Sequence, residues 1–178
     1  MSRSLPKLVV DTAAFALERI VFACFLLAVL ALFAMTASYL IEVVARYILR
    51  SPTTWGSEMV GYTLLVSVFM ALPMLTLTGR HVAVTLLPDT LRQAARSLLF
   101  RLVDLVGMIS CLAVAWICHQ EALRQFRRGI MTLANNPIPK WWLMAVIALG
   151  LFLSGLCFLQ RLFARDNLAV RRIPGVEA

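Results

Sequence analysis

The chain has 178 residues, 61% of them hydrophobic, whereas a soluble domain is about half apolar. Its 17 Lys and Arg against 9 Asp and Glu give a net charge of +8. The apolar excess excludes an ordinary soluble domain, and the length leaves no room for an enzyme domain beside a set of membrane helices.

Residues 1–19 read as a short interfacial helix, because Leu8, Val9, Thr12, Phe15 and Ala16 share one face. The charge-free residues 20–41 then form the first predicted span, since about 20 apolar residues cross the hydrocarbon core. This run is longer than a signal-peptide core, and Asp11 and Glu18 precede it. It is therefore expected to be a retained helix. Ser51-Pro52 breaks the helical pattern, and Trp55 is placed at the membrane interface.

The second span covers about 59–78, with Pro73 inside it as a kink and Gly79 as its end. Thr90-Leu91-Arg92-Gln93 has the form of a capping box. Leu91, Ala94, Ala95, Leu98, Leu99 and Leu102 then repeat at helical spacing and lead into the third span, about 98–118. From Leu91 to Arg128 is 38 residues, or about 57 Å at 1.5 Å per residue. Such a helix must bend at the membrane surface or project beyond it as His119–Arg128. Gly129 is the expected terminator. Asn135-Asn136-Pro137-Ile138-Pro139 is expected to be extended, and Lys140-Trp141-Trp142 opens the fourth span, about 141–160.

These segments predict an all-α, integral membrane four-helix protein, a single membrane domain over residues 1–178. A spanning backbone must satisfy its own hydrogen bonds, which helices do. The two tails and the second loop carry eleven Lys and Arg, and the other two loops carry six. The positive-inside rule then places both termini in the cytoplasm.

Few residues offer chemistry. His81 and His119 fall at opposite membrane faces, about 30 Å apart, so they cannot share a haem or a metal. No cofactor and no catalytic motif is expected. Cys24, Cys111, Cys118 and Cys157 lie in or beside spans without a pairing signature and read as inert buried thiols. Arg101 and Asp104 are the charges inside a span; three residues apart, they share a face and can pair. A structural pair or a contact to a partner helix is the plainer reading, ion coupling the sharper one. Gly107, Cys111 and Ala115, like Gly150 and Ser154, are spaced by four and permit close helix packing, by default within a four-helix bundle. Arg124, Arg127 and Arg128 form either a solvated helix end or a dock for an acidic soluble protein.

Arg46-Tyr47 follows the first span, Trp55 and Glu58 open the second, Gly79-Arg80-His81 closes it, and Ile138-Pro139 with Trp141-Trp142 precedes the fourth. This ordered set, over about residues 15 to 165, resembles the small membrane subunit (DctQ-type) of tripartite ATP-independent periplasmic (TRAP) transporters. It departs from that pattern at Ser57, Pro73 and Val84-Thr85. The resemblance implies a multi-pass protein of the bacterial inner membrane, part of a usually sodium-driven symport of organic acids. A periplasmic substrate-binding protein would deliver the substrate, and a large membrane subunit would carry it. This chain would bind that subunit and enlarge its static scaffold, in contact with membrane lipid and with no nucleic acid. By position, Arg46, Tyr47, Trp55 and Glu58 are implied at the outer scaffold interface, with Arg46 and Glu58 able to pair. Gly79 and His81 are implied at the inner turn, with Arg101 and Asp104 also at the subunit interface. Trp141 and Trp142 would anchor the chain at the membrane surface, and the Arg124, Arg127 and Arg128 cluster would help dock the binding protein. The rival reading is a self-sufficient small homo-oligomeric transporter, for which Asp104 would be essential.

Overall fold

The computed structural model describes residues 5–48, 50, 55–78, 93–132 and 137–164. They form four helices, α1 (Leu5–Tyr47), α2 (Gly56–Thr78), α3 (Gln93–Arg128) and α4 (Lys140–Ala164). All four are long and apolar enough to cross a membrane, and no β-strand occurs among the described residues. The fold is all-α, as the charge-free runs imply.

The first helix differs from expectation. Residues 5–19 are not a separate interfacial helix; they continue without a break into the first span. The reason is local: no Gly or Pro occurs between Lys7 and Tyr47, and Pro6 falls in the first turn, where its missing N–H costs nothing. At 43 residues, α1 is about 64 Å long, twice the hydrocarbon thickness of about 30 Å. About a third of the way along α1 the Arg19 guanidinium lies 5.0 Å over the Phe15 ring.

The edge helices each bury one narrow stripe. On α1, Val21, Cys24, Ala28, Ala31, Met35, Ser38, Glu42 and Ala45 are buried or half-buried at alternating steps of three and four. On α3 the same steps run Asp104, Met108, Cys111, Ala115, Cys118, Ala122 and Gln125. Such a repeat is the seam of a two-helix, coiled-coil-like contact. The α1 seam packs on α2 and the α3 seam on α4, while α2 and α4 pack on each other. Among the described residues α3 packs against neither α1 nor α2. The helices therefore stand in an open row, α1–α2–α4–α3, rather than a closed bundle. Phe33, 74% exposed, and Val106, 61% exposed, point away from the row. In lipid an outward apolar side chain meets no water, so nothing forces the row to close into a bundle.

Small residues set the spacing at the centre. A Cβ on Gly150 would overlap the backbone carbonyl of Phe69, standing 2.9 Å from its carbon and 3.1 Å from the Phe69 Cβ. That carbonyl is the one Pro73 leaves without an intrahelical donor four residues on. So α4 comes close to α2 where the α2 ladder is open, and α2 stays helical through Pro73. The fully buried Ser154 donates back to the Gly150 carbonyl at 2.8 Å. The other side of α4 faces α3: Gly155 meets Leu112 and Gly107 meets Phe158.

The third helix is a single rod of 36 residues, about 54 Å long. Gly129 ends it with φ at +60°. The Gly129 amide donates to Phe126 and the Ile130 amide to Gln125, each at 3.2 Å, which is the Schellman pattern. The connection to α4 is pinned by Thr132 to Ile138 and Lys140 to Ile130 amide–carbonyl bonds and by the Met131–Pro139 bridge. The capping box at Thr90 and the whole α2–α3 connection lie outside the described residues.

Candidate functional site

The start of α1, the end of α2, the start of α3 and the end of α4 share one end of the row, here the terminal end. The α1–α2 and α3–α4 connections share the far end. Polar side chains collect at these two ends, and each end ties helices that the apolar middle merely packs.

At the far end of α1, Arg46 pairs within its own helix, with Glu42 at 2.5 Å. The two are four apart, so they share a helix face, and Glu42 is the buried partner at the α2 seam. Tyr47 is 76% exposed. The Trp55 carbonyl accepts from the Met59 amide at 3.0 Å, so Trp55 stands at the start of α2. Glu58 sits in the first turn of α2, where a carboxylate is favoured by the helix dipole.

The α2, α3 and α4 ends meet around Thr132. Its hydroxyl accepts from the Ile138 amide at 2.9 Å and from the Tyr62 hydroxyl at 3.5 Å. Tyr62 in turn packs on Trp142, ring centres 6.4 Å apart. Trp142 is thus turned inward, its indole nitrogen buried without a partner. Trp141 remains 37% exposed and meets Phe126 edge-on at 5.4 Å. The two tryptophans, adjacent in sequence, face different surroundings because successive helical residues point about 100° apart.

Along the far end of α3, Arg124 pairs with Glu121 at 2.6 Å, and the Gln125 amide donates to the same carboxylate at 2.8 Å. Arg127 and Arg128 are exposed beside them. Arg124, Arg127 and Arg128 are therefore brought together on one solvent-facing helix end, with a single acidic neighbour to offset them. His119 is exposed, and its ring lies 6.3 Å from Trp116.

At the terminal end, Asp104 takes part in a longer-range arrangement. Asp104 is 3% exposed on the α3 seam and faces Arg161 of α4 at 3.6 Å. The same guanidinium donates to the Thr76 carbonyl of α2 at 2.9 Å. Arg101 lies exposed, one turn closer to the start of α3. Gly79 and His81 lie outside the described residues.

Among the participants that the sequence reading does not single out are Glu42, Tyr62 and Arg161. Glu42 carried a signal, four residues ahead of Arg46. Arg161 carried another, as a cation ending the fourth span while an acid begins the third. Tyr62 carried none, because its partner is 70 residues away.

Among the described residues, the buried carboxylates stand near the ends of the row: Asp104, beside the half-buried Arg161, at one, and Glu42 at the other. No curated protein matches the chain closely enough to count as a relative. The family of tripartite ATP-independent periplasmic transporters, DctQ component, matches residues 35–167, from the middle of α1 to beyond the described end of α4. That stretch includes the Glu42–Arg46 pair, the Thr132 junction and the Asp104–Arg161–Thr76 contact, and the chain belongs to the DctQ family of TRAP transporter components.

Proposed function

We propose that this chain is the non-transporting membrane subunit of a sodium-coupled importer of organic acids in a bacterial inner membrane. It binds the large membrane subunit and widens the static scaffold against which that subunit's mobile part moves. Both termini face the cytoplasm, so the terminal end is the inner end of the row and the far end is periplasmic. The observation that carries the reading is the open row. Each edge helix uses one narrow seam on its neighbour, and broad apolar faces are left for a partner or for lipid. A core that moved ions or solutes would need ionisable groups or broken helices at mid-depth, whereas the described ones cluster near the ends.

In this reading Arg46, Tyr47, Trp55 and Glu58 face the partner scaffold at the periplasmic end. Gly79 and His81 form the inner turn, with Arg101 and Asp104 near the inner partner contact. Trp141 fixes the depth of α4 at the membrane surface. Trp142 supports it from inside the α2–α4 contact. Arg124, Arg127 and Arg128 project into the periplasm and attract an acidic surface of the substrate-binding protein. Reconstituted vesicles test the assignment. The chain alone should give no sodium-driven uptake, and adding the large subunit and binding protein should restore it. Uptake by the chain alone would favour the homo-oligomeric transporter instead.

A further inference from the structure

The helices α2 and α3 do not pack on each other, yet one side chain touches both. Arg161 of α4 donates to the Thr76 carbonyl of α2 at 2.9 Å and faces the Asp104 carboxylate of α3 at 3.6 Å. We propose that Arg161 is a positioning residue, a clamp that couples α2 to α3 across α4 at the terminal end, so that the row behaves as one rigid body.

Each half of the clamp has its own physical basis. Thr76 lies in the last turn of α2, where carbonyls outrun the intrahelical ladder and the dipole presents negative charge. A guanidinium suits that place because it is always charged and holds five donors in a fixed fork. Two of its nitrogens serve two different helices here. Asp104, 3% exposed on the α3 seam, is a charge within a span that needs an opposite charge close by. Arg161, 27% exposed at its side chain, stands in the last turn of α4, where long basic side chains can keep their charged heads partly solvated. In this proposal the contact's role is to fix one helix arrangement rather than to add net stability. The arrangement it fixes is the helix order: α4 must lie between α2 and α3 for one guanidinium to reach both. At the far end the Tyr62–Thr132 contact links α2 to the α3–α4 connection independently.

This clamp gives the proposed scaffold its stiffness, so the inference rests on that reading for its purpose but not for its existence. The test uses the full chain in lipid nanodiscs, with its four cysteines replaced by alanine and spin labels attached in pairs. One pair, at Thr78 and Leu102, reports the α2–α3 spacing at the terminal end. A second pair, at Met59 and Leu123, reports it at the far end. R161M and D104N should each widen the terminal-end distance distribution and leave the far-end one narrow, while R161K, which keeps the charge but not the fork, should restore only part of the narrowing. An unchanged terminal-end distribution would overturn the clamp. Equal widening at both ends would also overturn it, by showing general loosening. Should R161M fail to insert, D104N and R161K carry the same comparison. Because no partner is present, failure here would leave the scaffold assignment intact. Failure of uptake to depend on the large subunit would leave the clamp intact.

Discussion

Gly150 should be the most sensitive small residue in the row, and G150A is the substitution that shows it. The added methyl would overlap the Phe69 carbonyl and stand 2.9 Å from its carbon. That atom belongs to a helix backbone, so it cannot swing aside as a side chain tip can; α2 and α4 must separate. Overpacking of this kind costs about 1–3 kcal/mol. Ala is the better helix former by up to about 1 kcal/mol, which leaves a net loss of about 1–2 kcal/mol. Two other glycines serve as internal controls. G155A meets the end of the Leu112 side chain, which can change rotamer, and G61A meets nothing within 4 Å. Reversible unfolding in mixed micelles should therefore rank G150A as most destabilised, G155A as intermediate, and G61A as neutral or slightly stabilised. A G150A variant as stable as G61A would refute the argument that backbone contact at Gly150 sets the α2–α4 spacing.

R46A and E58A should each lower the yield of the assembled transporter, or its uptake, while the chain still inserts. R46A also strips the buried Glu42 of its ion-pair partner, at a cost of about 1 kcal/mol for a pair whose arginine is mostly solvated. Normal yield and uptake in both variants would remove these residues from the partner contact. Replacing Arg124, Arg127 and Arg128 together by Ser should weaken uptake that depends on the binding protein. That dependence on the binding protein should also decline with added salt in the unmodified chain, because screening acts over about 8 Å at physiological ionic strength. G129A should destabilise the end of α3 by about 1–2 kcal/mol, because its φ of +60° brings a Cβ against the backbone. G129N should be milder, and proteolysis of the α3–α4 connection would read the difference.

The helices were legible because charges punctuate them. Residues 20–41 stood out as a charge-free run, and Gly129 stood out as a stop. The separate interfacial helix expected over residues 1–19 rested on the face shared by Leu8, Val9, Thr12, Phe15 and Ala16, a pattern that fits a membrane surface but does not break a helix lacking Gly and Pro. The order of the row was not legible. In water a helix shows its buried face by contrast with a polar one, whereas here Phe33 and Val106 face outward and are as apolar as anything inside. Only the small residues marked contact faces, and Gly107 and Gly150 did so without revealing that they face different neighbours. The charged contacts were half legible. Asp104 needs an opposite charge close by, and Arg101 is the nearest cation in sequence. Arg161, 57 positions away, also comes within 3.6 Å of it, because α3 and α4 are antiparallel neighbours.

The central claim is that this chain works as part of another protein's scaffold. Purification from native membranes in mild detergent, followed by mass analysis of the intact particle, tests it most directly. The account predicts recovery with a large polytopic membrane partner. Recovery only as copies of itself, in particles that still take up substrate after reconstitution, would contradict it.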